Sequence, residues 1–93
     1  MVVGLLQLEL HLPTCNSLKD KRSILKRLIN HLRRTYNVAV AETDHNDVWR
    51  SAQIGVVTVF NDLRLVENTL SKVASEVVNT DGVELIDQQI EIL

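Results

Sequence analysis

Lys19, Arg22, Lys26 and Arg33 recur at spacings of three, four and seven residues, so on a helix they share a narrow arc with Arg27 and Arg34 just beside it. A row of cations on a rigid helix tracks nucleic-acid phosphates, because each neutralised phosphate releases its counterions. The plain alternative is a solvated face whose cations complement the negative end of the helix. Pattern by itself favours the alternative, since basic faces without aromatic partners are common. The chain holds one Trp, one Tyr and one Phe, which argues against a sheet that reads bases by stacking.

Two other sets of residues have chemical potential. Glu42, Asp44, His45 and Asp47 offer oxygen and imidazole ligands to a metal, and His11 joins them if the end of its strand lies nearby. Their spacing matches no metal motif with a mechanism behind it, and a polar connection built on Asx turns explains the same residues. Trp49, alone beside this polar run, reads equally as a packing anchor or an interface residue. Cys15 precedes a helix start, where a thiolate is stabilised, and His11 and His45 are the available bases. No third residue orients such a pair, so no catalytic residue is assigned. Asn16 and Ser17 offer helix-start amides to an anion but lack the glycines of a phosphate loop.

The elements that position these residues follow from periodicity. Val2 to Leu12 alternates, with Leu6, Leu8, Leu10 and Leu12 on one side and Leu5, Gln7, Glu9 and His11 on the other, which predicts a half-buried strand ended by Pro13. Ser17 to Asp20 has capping-box form, and Leu18, Leu25, Leu28, Ile29, Leu32 and Tyr36 continue as one helical stripe until Asn37, which tolerates a left-handed cap. On this reading the basic stripe lies opposite the Leu25 and Leu32 side. Val38 to Thr43 is a short β-prone run, Asp44 to Asp47 is turn chemistry, and Arg50 to Phe60 is a central strand with Gly55 marking close packing or a bulge. Asn61 and Asp62 cap a second helix with Leu63, Val66, Leu70, Val73, Ala74 and Val77 as its buried stripe, and Asp81-Gly82 stops it. The last strand, Val83 to Leu93, shifts its apolar phase between Leu85 and Ile86, which predicts a bulge or burial of both faces.

Strand, helix, strand, strand, helix, strand in a 93-residue chain is the ferredoxin-like plan: one α+β domain, residues 1–93, with two helices on one face of a four-stranded antiparallel-type sheet. The other sheet face, with Leu5 and one of the Val56/Val57 phases, is bare unless a partner covers it. Composition is ordinary at 45% hydrophobic and 24% charged, and the net charge of −2 carries no nucleic-acid signal. Distribution is more telling: seven of the ten Lys and Arg lie between Lys19 and Arg34, and seven of the twelve acids between Asp62 and Glu91. A single cysteine forms no internal disulfide and fits a reducing compartment, and the first apolar run is too short to span a bilayer and has no leader features, so a cytoplasmic protein without a membrane partner is expected.

The residues also carry a resemblance. Val2-Val3-Gly4-Leu5-Leu6-Gln7-Leu8-Glu9-Leu10-His11-Leu12-Pro13, then Ser17-Leu18-Lys19-Asp20-Lys21-Arg22, then Val40-Ala41-Glu42, Asp44-His45, Asp47 and Trp49, Gly55-Val56, Asn61-Asp62 and the closing Glu91-Ile92-Leu93 resemble the bacterial YlxP-like proteins, a domain family of unknown function. Cys15 stands outside that resemblance. It implies a ferredoxin-like fold and a genomic setting beside translation initiation factor two and ribosome-binding factor A. It implies no catalytic residues. What it adds is an expectation of a ribosome- or RNA-associated role, with Lys19, Lys21 and Arg22 as RNA contacts and Asp44, Asp47 and Trp49 as interface residues.

The expected function is therefore a non-enzymatic translation or ribosome-associated factor that touches ribosomal RNA or a ribosomal subunit through Lys19, Lys21, Arg22, Lys26 and Arg33. It needs no cofactor or metal, and its open sheet face serves self-association as a homo-oligomer. The rivals are a metal-dependent small enzyme using the Glu42 to Asp47 loop and a purely structural or regulatory dimerisation module.

Overall fold

The computed structural model describes all residues from Met1 to Leu93. Its elements are β1 (Val2–His11), α1 (Leu18–Thr35), β2 (Val38–Asp44), β3 (Ser51–Phe60), α2 (Leu63–Val78) and β4 (Glu84–Ile92). The strands form one sheet in the order β2-β3-β1-β4, every neighbouring pair antiparallel. This is the ferredoxin-like βαββαβ arrangement. No helix is long and apolar enough to cross a membrane.

Alternation in β1 does what its pattern requires. Leu6, Leu8 and Leu10 are sealed under the helices, while Leu5, Gln7, Glu9 and His11 remain half-buried on the other face. Ala52, Ile54 and Val56 of β3, Val40 of β2, Leu25, Leu28 and Leu32 of α1, and Val66, Leu70, Val73 and Val77 of α2 complete the core. Leu63, read as the start of α2's buried stripe, is instead 45% exposed: it is the first residue of the helix, and the buried stripe starts at Val66. Gly4 is where α2 comes nearest: a Cβ at that position would collide with Val66 Cγ1 and sit 3.0 Å from Leu70 Cδ1.

The helix starts match their sequence signals. Ser17 Oγ accepts from Asp20 N at 3.1 Å, and the Asp20 carboxylate accepts from Asn16 N at 3.0 Å, a reciprocal cap. Asp62 caps α2 by accepting from Arg64 N at 2.8 Å. The end of α1 differs from expectation. Tyr36 takes an extended conformation, only His45 and Gly82 have positive φ, and Asn37 uses its side-chain amide to donate to Val59 O at 3.0 Å. The chain thus turns directly into β2. In β4 the expected irregularity is present: Glu9 faces Asp87 while Leu10 faces Leu85, leaving Ile86 as the extra residue of a bulge.

Candidate functional site: the basic flank of α1 and the loop beneath it

Lys19, Arg22, Lys26, Arg27 and Arg34 are exposed along α1, and none of them forms an ion pair with a carboxylate. Two features of the expected stripe change. Arg33 reaches sideways and donates through Nη2 to Val40 O of β2 at 2.5 Å. The stripe therefore runs along the flank of α1 that overlooks the β2 edge, beside the core rather than opposite it. Lys21 leaves the set altogether. It is 1% exposed, on the leucine side of the helix, where no phosphate reaches it.

Lys21 instead organises the loop between β2 and β3. Its ammonium donates to His45 O at 2.6 Å and Val48 O at 2.8 Å, and faces Glu42 Oε2 at 2.8 Å. That carboxylate oxygen is buried and takes no well-angled hydrogen bond, so what compensates it is the ion pair itself. From the far side Arg50 donates to Cys15 O at 3.0 Å and Asn16 Oδ1 at 3.2 Å. The loop is held at both ends by cations on backbone carbonyls. Between them Asp47, Val48 and Trp49 project outward, with Trp49 51% exposed, so its indole does not anchor the core. Asp44 is also exposed, and its Oδ1 accepts from His45 N at 2.7 Å.

His45, at φ 64°, sits at the turning point of this loop. While its carbonyl meets Lys21 on the helix side, its ring lies on the open sheet face, 3.2 Å from Glu9 Oε2. Gln53 donates to Glu9 Oε1 at 2.6 Å, and Thr43 donates to Gln53 Oε1 at 2.8 Å, completing a chain of polar contacts across three strands. The metal arrangement of Glu42, Asp44, His45 and Asp47 is thereby overturned. Glu42 turns to Lys21 under the helix and His45 to Glu9 on the opposite face, and no three His, Cys, Asp or Glu side chains converge anywhere in the chain. His11 is likewise apart, its Nδ1 3.0 Å from Arg50 O. Cys15 is fully buried; burial, helped by the Asp20 carboxylate, pushes its thiol up against the weaker pull of Lys21 and Arg50, the reverse of what an activated nucleophile needs.

Comparison with known proteins puts these features in a family. The profile of the family described as "Protein of unknown function (DUF503)" matches residues 3–90. The chain belongs to that family. It is similar to the "Uncharacterized protein YlxP" of Bacillus subtilis (strain 168), 28% identical over 72 residues that cover 77% of this chain and 78% of the relative. Among solved structures it is similar to a C-terminal segment of the alpha subunit of aIF2 from Pyrococcus abyssi, with TM-score 0.55 and 19% identity, covering 98% of this chain and 49% of that one. The designed protein Foldit4 gives TM-score 0.52 at 14% identity, covering 99% and 94%. At these identities the structural likeness is one of fold.

One further polar cluster of this DUF503 domain escaped the sequence reading. Glu76 of α2 accepts from Tyr36 OH at 3.0 Å and from His31 Nε2 at 2.9 Å, joining the two helices. The bond from Tyr36, then that from His31, holds the Glu76 carboxyl below the ordinary carboxylate range. Burial, then the Glu76 bond, raises the Tyr36 phenol. Nothing in the spacing of three residues from two helices announces such a contact. Lys21 did leave a signal: Lys21, Leu25, Leu28 and Leu32 follow four, three and four residues apart, so a lysine stands in the core stripe.

Proposed function

We propose that this DUF503 domain is a non-enzymatic, ribosome-associated factor that contacts ribosomal RNA phosphates through Lys19, Arg22 and Lys26. The observation that supports it is the row itself: three cations on successive turns of a helix seated on the core, all exposed and none neutralised by a carboxylate. Uncompensated cations on a fixed helix displace phosphate counterions without first breaking an ion pair of their own. The genomic setting that the YlxP-like resemblance implies, beside translation factors, gives the phosphates their source. Asp44, Asp47 and Trp49 are proposed as the contact with a protein partner, since the loop that carries them is pinned from beneath and turned outward.

The test is co-sedimentation with ribosomal subunits over a salt series. Binding should fall as salt rises, and the K19Q/R22Q/K26Q variant should bind more weakly with a slope reduced by about two to three. Unchanged binding after that triple substitution overturns the reading.

A second reading concerns the open sheet face. Val3 and Leu5 of β1 and Val57 and Val59 of β3 are paired across the strands there, with Val57 and Val59 40% and 43% exposed. We propose self-association of two copies through this apolar end of the face, packed sheet on sheet. A sedimentation profile that stays monomeric at all concentrations overturns it and leaves the RNA reading intact.

A further inference from the structure

β4 is a sheet edge that pairs with β1 on one side and with nothing on the other. It runs for nine residues without Pro, Lys or Arg, the residues that most often guard such an edge. From Asp87 to Ile92 its side chains alternate in chemistry as well as direction. Asp87, Gln89 and Glu91 share the open face with Glu9, Gln7 and Leu5, while Ile90 and Ile92 lie on the helix side opposite Leu6 and Gly4. Neither set is satisfied. Ile90 and Ile92 are 55% and 43% exposed, and neither Glu84, Asp87 nor Glu91 has a cation within ion-pair distance. The chain's own cations are concentrated on α1, at the other end of the sheet.

We propose that the β4 edge is a docking site for an extended segment of a protein partner in which Lys or Arg alternates with apolar residues, added to the sheet as a fifth strand. Backbone pairing supplies the affinity, and the alternation of side chains supplies the selection. The partner's cations fall on the face of Asp87 and Glu91, and its apolar residues extend the Ile90 and Ile92 strip. A second copy of this chain is the disfavoured occupant. Two β4 edges laid antiparallel crowd the carboxylates of both onto one face, and like charges across a strand pair repel. The acids thus deter self-pairing and select a basic strand. This site lies at the opposite sheet edge from α1 and does not depend on RNA binding.

The experiment titrates the full chain with a fluorescein-labelled, end-capped nonapeptide of alternating Lys and Val, followed by anisotropy and by amide exchange. Saturable binding and slowed exchange confined to β4 are the expected results. The alternating Glu–Val peptide should not bind, and N-methylating the Lys–Val peptide along one edge should abolish binding. E84K/D87K/E91K should weaken it about tenfold or more, three cross-strand attractions having become repulsions. The proposal is overturned by absence of saturable binding, by equal affinity for the Glu–Val or N-methylated peptide, or by a β4–β4 dimer in solution that I90K dissolves. The two peptide controls use the unaltered protein, so they decide the matter even if the triple variant folds poorly.

Discussion

The two edges of this sheet are finished in opposite ways. At the β2 edge, Arg33 is bonded to Val40 O, and Lys21 and Arg50 pull the loop that follows back onto α1 and its N-terminal turn. At the β4 edge no side chain crosses over, and isoleucines and carboxylates face solvent. The first edge is closed by cations bonded to carbonyls. The second is left with unpaired backbone, apolar surface and unbalanced negative charge. The difference teaches that the basic character of α1 has two uses within one helix: some of its cations hold the fold, and the rest remain free. Formal charge cannot separate the two groups, whereas their hydrogen-bond partners do: Lys21 and Arg33 are bonded to carbonyls of other elements.

The largest test of the contrast is Lys21→Ala. Removing the ammonium leaves the Glu42 carboxylate and the carbonyls of His45 and Val48 uncompensated at a sealed position, a loss of about 3–5 kcal/mol. Urea denaturation measures it, and amide exchange should show residues 45–48 opening first. The double variant K21M/E42Q should recover much of the loss, since no buried charge is left alone. Lys19→Ala, two residues earlier and exposed, should change stability by less than about 0.5 kcal/mol while weakening RNA binding. If Lys21→Ala were equally harmless, the closed edge would have no lock.

Beneath α2 the contrast turns on shape in place of charge. Gly4→Ala sets a methyl against Val66 and Leu70, and should cost about 1–3 kcal/mol as α2 lifts from β1. Denaturant midpoints with an unchanged m-value would show overpacking in an otherwise intact fold.

Glu76 is the polar joint between the two halves. Its folded-state carboxyl lies below its unfolded value, so its contribution is fully present above the ordinary carboxylate range. That contribution is lost as pH falls through the folded value. Glu76→Gln should therefore lower stability at neutral pH and flatten the acid limb of the stability profile. A parallel displacement of the whole profile would show that the Tyr36 and His31 bonds do not distinguish the two protonation states.

Much of this architecture was legible in the amino-acid order. Alternation in β1, the Ser17 and Asp62 caps, and the phase slip at Ile86 each have a local physical cause, and each is where the pattern put it. Leu63 apart, the misplacements are of one kind. Lys21, Arg33, Glu42 and Asn37 are polar residues whose partners lie in another element. Trp49, which the sequence leaves open between packing and interface, is turned outward because its loop is held by Lys21 from another element. Periodicity tells which way a residue points along its own element; it says nothing of the carbonyl waiting across the gap. Hence the helix flank was readable as basic, while the division of its cations between lock and free row was not.

A small expected effect bears on the open edge. Ile90→Thr with Ile92→Thr removes apolar surface about half of which already meets water, so the transfer contribution is small and stability should fall by about 1 kcal/mol. The same change at Ile54, fully buried on the helix-facing side of β3, should cost several times more. The ratio of the two is informative whatever their absolute size. A monomer with a bare β4 gives a wide ratio that does not depend on protein concentration. A narrow ratio, widening on dilution, would mean that a second copy covers Ile90 and Ile92 in solution. The carboxylates of Asp87 and Glu91 would then have found cations on that copy, from the free row of α1, and the two edges would be halves of one interface.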